Sequence, residues 1–219
     1  MDLFDDLPPA PGAERLDLAP GAVLLRGWAR EADVALLHAV ERVIAQAPLR
    51  HMQTPGGYTM SVATTSCGAL GWVSDPHGYR YAACDPHTGQ PWPAMPACLL
   101  ELAQGAAAEA GYANFQPEAC LINQYLPGAK LSLHQDKDEK DLSAPIVSVS
   151  LGLPAVFQFG TVRRSDRPRR YRLTHGDVVV WGGPSRWAFH GVLPVEEGEH
   201  PLLGRRRINL TFRSPHERG

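Results

Sequence analysis

Asn123-Gln-Tyr-Leu-Pro-Gly-Ala-Lys-Leu-Ser-Leu-His-Gln-Asp-Lys-Asp138 decides how the rest of this chain reads. It runs as an extended segment, a Pro-Gly turn and a second extended segment that carries His134-Gln135-Asp136. Alternate side chains of an extended backbone share a face, so His134 and Asp136 can converge on one point. A second histidine would complete a metal site. His190 lies 56 residues on, in the strand-like run Arg186-Trp-Ala-Phe-His-Gly-Val-Leu193, which can pair with the first. Two imidazoles and one carboxylate on one side of a metal form a facial triad that leaves positions open and suits non-haem Fe(II). The triplet alone is a weak signal, because nine histidines offer other partners and a solvated loop histidine beside an acidic run is the plain alternative.

The neighbouring strands add weight. Cys120–Tyr125 reads as a strand with Leu121, Asn123 and Tyr125 on one face. Arg207-Ile-Asn-Leu-Thr-Phe-Arg213 alternates cleanly, with Arg207, Asn209, Thr211 and Arg213 on one face and Ile208, Leu210 and Phe212 on the other. Two guanidiniums in one enclosed space call for carboxylate or phosphate partners. A 2-oxo acid that chelates an iron needs such a cation at its far carboxylate; an edge strand with solvated arginines is the competing reading.

A chain of 219 residues, 44% hydrophobic, can build one domain with a substantial core. No apolar run approaches a membrane span, and the acidic, Pro-rich start is unlike a signal peptide, so a soluble cytoplasmic protein, monomeric, is expected. Cys67, Cys84, Cys98 and Cys120 form no Cys-x-x-Cys pair and read as free thiols. Residues 1–20 read as a poorly ordered arm and 214–219 as a tail, with a single domain over 21–213. Val23–Arg26 reads as a strand and Glu31–Gln46 as an amphipathic helix with Leu36, Leu37, Val40, Val43 and Ile44 at helical spacing, on which His38 is expected to pack. Pro96 opens a second helix that stops at Gly111. Strands follow at Ile146–Leu151, Ala155–Phe159, Arg170–Leu173, Asp177–Trp181, Ala188–Leu193 and Arg206–Arg213. Helices first and many short strands after predict an α+β, mainly β fold: N-terminal helices supporting a two-sheet jelly-roll barrel.

Residues 48–93 are rich in Gly, Pro and aromatic residues and read as a long, functional loop region. Its Trp72, Tyr79 and Tyr81 form either a satellite hydrophobic cluster or a stacking wall for a nucleobase. Arg163–Arg172 packs six arginines into ten residues, either a solvated hairpin tip or a phosphate patch, to which Lys130 could add a backbone contact. The net charge of −2 argues against a chain that coats duplex DNA.

The blocks TPGGYTMSV, GWVSDPHGYRY, PWPAMP, FQPEACLINQY, PGAKLSLHQDKDE, APIVSVSLGLPAVFQFG, HGDVVVWGG and NLTFR resemble the bacterial AlkB family of Fe(II)- and 2-oxoglutarate-dependent nucleic-acid demethylases, over roughly residues 21–213. The resemblance implies a double-stranded β-helix with a nucleotide-recognition lid over about 48–93. It implies that His134, Asp136 and His190 hold Fe(II). It also implies that 2-oxoglutarate lies against Asn123, Gln124 and Tyr125 and against Arg207, Ile208, Asn209, Leu210, Thr211, Phe212 and Arg213, with Arg207 at its distal carboxylate and Arg213 near its metal-proximal end. Trp72, Tyr79, Arg80, Tyr81, Lys130, Asp138 and Arg164 match substrate positions, with Asp138 at the exocyclic amine of the base. The activity implied is oxidative removal of methyl groups from 1-methyladenine and 3-methylcytosine in single- or double-stranded DNA, with RNA as a further target. It consumes O2 and 2-oxoglutarate and releases succinate, CO2 and formaldehyde. Thr64 stands where the family pattern has Met, and the tip after Phe159 is richer in arginine. Two other readings stay open on the residues alone: the same cofactors acting on a protein or small molecule, and a zinc hydrolase or non-catalytic metal-binding barrel.

Overall fold

The computed structural model describes residues 14–216. In chain order the elements are β1 Arg15–Ala19, β2 Ala22–Leu25, α1 Asp33–Gln46, β3 Arg50–Gln53, β4 Thr59–Gly68, β5 Gly71–Asp75, β6 Gly78–Ala82, α2 Ala97–Glu109, β7 Ala119–Tyr125, β8 Leu131–His134, β9 Ile146–Gly152, β10 Ala155–Phe159, β11 Arg169–Leu173, β12 Val178–Trp181, β13 His190–Val192 and β14 Arg207–Arg213. They form an eight-stranded sheet ordered β1-β2-β12-β9-β14-β7-β4-β3, a four-stranded sheet ordered β11-β10-β13-β8, and the hairpin β5-β6. The two larger sheets are the expected jelly roll.

Two apolar layers explain the arrangement. Outside the large sheet, Leu36, Val40 and Val43 of α1 and Leu99, Ala103 and Ala106 of α2 pack on Val147, Val149, Ile208, Leu210 and Phe212. Between the sheets, Leu24, Ile146, Val179 and Trp181 meet Phe157, Phe159, Leu173 and Val192. Central strands such as β9 are buried on both faces: Val147, Val149 and Leu151 pack under the helices, while Ser148 and Ser150 alternate with them on the side of Arg207 and Asn209. Among the described residues, no helix is long and apolar enough to cross a membrane. All four cysteines are free, as expected, with Cys67 and Cys120 buried.

Several expectations need correction. Arg15–Ala19 is not loose arm: it pairs with β2, Arg15 opposite Leu25. Residues 1–13 and 217–219 of the expected arm and tail lie outside the described residues. A 3-10 turn at Arg30–Ala32 precedes α1, which starts at Asp33 rather than Glu31, and His38 is exposed rather than packed. The segment 48–93 is not one loop region. Its β3 and β4 extend the large sheet, where Thr64 is fully buried opposite Asn123, and the β5-β6 hairpin is a separate two-stranded sheet. Trp92 anchors that hairpin from below, buried and donating Nε1–H to Ala82 O at 2.9 Å.

The strands that carry the two candidate histidines are adjacent. β13 pairs with β8, His190 opposite His134 and Val192 opposite Leu131, so Ser132 and Leu133 together face Gly191 in a bulge. A Cβ on Gly191 would lie 2.7 Å from Leu131 O and 3.1 Å from Leu133 N. Gly191→Ala therefore forces the bulge off β13, and we expect denaturant unfolding to show a loss of about 1–3 kcal/mol. An unchanged unfolding midpoint would mean that the bulged backbone yields without cost.

Candidate active site

A cavity of about 820 Å³ opens between the sheets, and His134, Asp136 and His190 line it together with Arg207 and Arg213. His134 ends β8, Asp136 follows two residues later, and His190 begins β13, so strand pairing itself brings the three side chains together. Their ligand atoms all lie within 4.8 Å of one another. His134 Nδ1 is 2.9 Å from Ser132 O and His190 Nδ1 is 3.0 Å from Ala188 O. With Nδ1–H donating to these carbonyls, each ring turns an unprotonated Nε2 inward, at 3.5 and 3.8 Å from the Asp136 carboxylate.

The carboxylate is held by one oxygen. Arg213 donates Nε–H and Nη2–H to Asp136 Oδ2 at 3.0 and 2.7 Å. Burial opposes ionisation of Asp136, but the Arg213 charge together with His134 and His190 outweighs it and keeps the carboxyl well below its usual range. Burial and the nearby His134 press the His190 imidazole down to about 4. Burial also presses on His134, but its contact with Asp136 leaves that ring above its ordinary value. An ionised carboxylate with a free Oδ1 and two imidazoles aimed at it make a donor set that suits a hard-to-borderline divalent cation with open positions.

Arg213 also reaches Glu139 Oε1 at 3.2 Å, and Glu139 accepts from Arg186 Nη2 at 3.1 Å and from the Tyr81 hydroxyl at 2.6 Å. Arg207 differs. The residue is 1% exposed, its Nη2 donates to Ser150 Oγ at 2.9 Å, and its Cζ lies 4.8 Å from the centroid of the Tyr125 ring, but Nε and Nη1 have no hydrogen-bond partner. A buried charged donor with two unpartnered nitrogens fits a carboxylate that arrives from outside the chain. Asn209 is spoken for: it donates to Ser148 Oγ and Val149 O and accepts from Asn123 and Thr211.

Among the expected residues, Trp72, Tyr79, Lys130, Asp138, Asn123, Tyr125 and Thr211 also line the cavity. At its mouth Trp72 stacks on Tyr79 at 5.6 Å and donates Nε1–H to Asp138 Oδ2 at 2.9 Å. Others are placed elsewhere. Ile208, Leu210 and Phe212 point into the layer under the helices, because the same alternation that turns Arg207 and Arg213 inward turns these three out. Gln124 faces that side too and meets Arg206 at 3.4 Å. Arg80 is paired with Asp75 at 2.7 Å along the exposed hairpin, and Tyr81 is tied to Glu139, so neither lines the cavity. Arg164 sits at the rim, donating to Leu133 O at 3.1 Å and lying over Phe189. Reading the sequence missed Glu139, hidden in an acidic run, and Trp181, which lines the cavity beside His190. Ser148 and Ser150 were signalled by their alternation with Val147, Val149 and Leu151.

A jelly roll with an inward His/Asp/His triad and an unsatisfied buried arginine defines a mononuclear iron oxygenase that takes a 2-oxo acid. The family model described as 2OG-Fe(II) oxygenase superfamily matches residues 21–213. A protein of Salmonella typhimurium strain LT2, alpha-ketoglutarate-dependent dioxygenase AlkB, is 60% identical over 218 residues, covering 100% of this chain and 99% of its own length. The tRNA demethylase abh1 of Schizosaccharomyces pombe is 32% identical over 157 residues, 66% of this chain and 52% of its own. The solved structure of OsALKBH1 matches with a TM-score of 0.80 at 28% identity, over 92% of this chain and 100% of that one. The chain belongs to the 2OG-Fe(II) oxygenase superfamily and, within it, to the AlkB family of dioxygenases, and its cofactors are Fe(II), 2-oxoglutarate and O2.

Arg213→Met would leave Asp136 and Glu139 buried without their shared cation. Removing one partner of a buried pair costs about 3–5 kcal/mol, and losing a group that orients a metal ligand weakens binding by about 10–100-fold. We expect both in chemical unfolding and in Mn(II) titration by calorimetry. Wild-type Mn(II) affinity in the variant would show that Asp136 is positioned without Arg213.

Proposed function

We propose that this protein removes methyl groups oxidatively from alkylated nucleobases in nucleic acid, 1-methyladenine and 3-methylcytosine first, acting as a cytoplasmic monomer in direct-reversal repair. The observation that carries this is the pairing of Trp72 with Asp138 across the mouth of the cavity that has His134, Asp136 and His190 inside it. An aromatic face and a carboxylate at one opening recognise a flat ring that carries positive charge and an amine donor, which describes these methylated bases. The relative named as a tRNA demethylase supports nucleic acid as the substrate class.

The residues divide the work. His134 Nε2, His190 Nε2 and Asp136 Oδ1 would hold Fe(II), which together with 2-oxoglutarate and O2 supplies the two-electron oxidation of a C–H bond, the co-substrate leaving as succinate and CO2. Arg213 keeps Asp136 ionised and fixed. Arg207 would take the distal carboxylate of 2-oxoglutarate on its open Nε and Nη1, with Tyr125 packed against it. Trp72 and Tyr79 would stack the flipped base, a contact worth about 1–3 kcal/mol. On base binding, Asp138 exchanges the Trp72 N–H for the exocyclic amine. An N-methyl on a ring nitrogen offers no electrophile for hydrolysis, so oxidation of its C–H is required. The hydroxymethyl product then collapses: its O–H proton leaves to solvent, the N–C bond pair returns to the ring nitrogen as a lone pair, and formaldehyde departs, restoring the neutral base.

The direct test is mass spectrometry of single-stranded oligonucleotides bearing 1-methyladenine or 3-methylcytosine, incubated with Fe(II), 2-oxoglutarate and air. We expect loss of 14 mass units, about one CH2, that requires 2-oxoglutarate and is absent in His134→Ala. Succinate formation without loss from either base would assign the site to another substrate. Arg207→Ala should raise the 2-oxoglutarate requirement by about tenfold to a hundredfold, since a hydrogen bond to a charged group contributes about 1.5–3 kcal/mol, with the oligonucleotide KM little changed. An unchanged 2-oxoglutarate KM would place the co-substrate elsewhere.

A further inference from the structure

Two aromatic rings beside the cavity are fixed in place without belonging to a core. Between Arg186 and His190, Ala188 and His190 are buried, while Trp187 and Phe189, alternating with them, stay partly exposed. The backbone around them is held on both sides. The Arg186 guanidinium donates to Ala144 O, Asp136 O and Glu139. Trp187 O accepts from Gln135 Nε2, and Phe189 N and O bond to Thr161 O and Gly160 N at 2.9 and 2.8 Å. Among the described residues, however, neither ring packs on the layer between the sheets or on the layer under the helices. Each has a cation over its face instead. Lys137 Nζ lies 5.9 Å from the centroid of Trp187, and Arg164 Cζ lies 5.5 Å from that of Phe189.

A single exposed ring needs no explanation, and a lysine stem laid over an indole can simply cover it. The two cations differ in how firmly they are held. Arg164 is anchored to Leu133 O at 3.1 Å, so the face of Phe189 is closed. Lys137 is exposed and makes no hydrogen bond or ion pair among the described residues, so its ammonium can leave the ring for an anion.

Position then selects the ligand. Lys137 and Asp138 are consecutive and both line the cavity. Asp138 turns to Trp72 of the β5-β6 hairpin and Lys137 turns to Trp187, so the short segment from Gln135 to Asp138 runs between two aromatic platforms. The first platform takes the flipped base in the reading above. Extruding one base leaves the base beside it without a stacking partner on that side. A second aromatic face across the segment can supply that partner, with an ammonium beside it for a phosphate.

We propose that Trp187 and Lys137 form a second nucleotide subsite, in which Trp187 stacks on the base next to the flipped one in the same strand and Lys137 pairs with the phosphate between them. The inference rests on the nucleobase reading and extends it from one nucleotide to two.

The test is calorimetric binding of trinucleotides with a central 1-methyladenine to the protein loaded with Mn(II) and 2-oxoglutarate. The three strands carry both outer bases, or are abasic on the 5′ side, or abasic on the 3′ side. For the unaltered protein the expected result is a loss of about fivefold to 150-fold on one of the two abasic strands. Trp187→Ala should show that same loss on the intact strand and no further loss on that abasic one, because the two changes remove a single contact. Trp187→Phe, which keeps a stacking face, should recover most of the affinity. Lys137→Gln should lower the salt slope by about 0.7, the value of one phosphate on a single strand; an unchanged slope would overturn the part given to Lys137. An equal loss by Trp187→Ala on all three strands would overturn the proposal by making the ring a support for Gln135 and its neighbours. No loss on any strand would overturn it by leaving the indole as a surface ring under a lysine stem. No turnover of the intact trinucleotide by the unaltered protein with Fe(II), 2-oxoglutarate and air would overturn the demethylase reading itself, and the subsite with it.

Discussion

The ion pair between Arg213 and Asp136 ties the two sheets together at the cavity, where the apolar layer that packs them elsewhere is interrupted. Arg213 closes β14 in the large sheet, while Asp136 follows β8 in the small one, and their hydrogen bonds of 2.7 and 3.0 Å cross the cavity between them. Burying two charges is expensive, and a packed apolar pair of the same size would serve stability as well or better. An apolar pair could not keep a carboxylate ionised with one oxygen free beside two imidazoles. The pair is thus better explained by the metal site than by the barrel.

Glu139 extends the clamp. It joins Arg213, Arg186 and the hydroxyl of Tyr81, so the β5-β6 hairpin at the mouth is connected through Glu139 and Arg213 to a metal ligand. Trp72 of the same hairpin reaches Asp138, two residues beyond Asp136. A shift of the hairpin would therefore act on the segment that carries Asp136, and the acids in that segment divide into Asp136 beside the two histidines, Asp138 at the mouth and Glu139 holding the frame.

Legibility followed periodicity. RINLTFR has strict alternation, and reading it placed Arg207, Asn209, Thr211 and Arg213 inside and Ile208, Leu210 and Phe212 outside, as observed; only assigning the whole run to the co-substrate went against that pattern. Pairing of the His134 and His190 segments was also readable, because both are short extended runs bounded by turn residues. β3 to β6 were not, since Gly, Pro and polar residues interrupt them and β4 is buried through Val62–Cys67 with threonines and a serine where apolar residues would be expected. β1 was obscured by its acidic, Pro-rich surroundings. Tyr81 was assigned to the base for its aromatic ring, whereas its hydroxyl reaches an acid 58 positions away, a pairing no local pattern encodes.

Arg207 and Arg213 show why composition and spacing stop short of roles. They lie on one face of one strand, six residues apart, both buried, and from the sequence they are equivalent claimants for a carboxylate. Three-dimensional accounting separates them. Arg213 already has two carboxylates, Asp136 and Glu139, whereas Arg207 has one hydroxyl and an aromatic face and leaves two nitrogens, Nε and Nη1, without a partner. Burial without full pairing depresses the Arg207 charge, while the carboxylates hold that of Arg213 above its ordinary range. A buried donor left open costs about 1–3 kcal/mol, which a fold retains where an incoming group repays it on binding. This accounting supports the proposal that Arg207, unsatisfied in the protein alone, takes the co-substrate, while Arg213, already satisfied, positions Asp136.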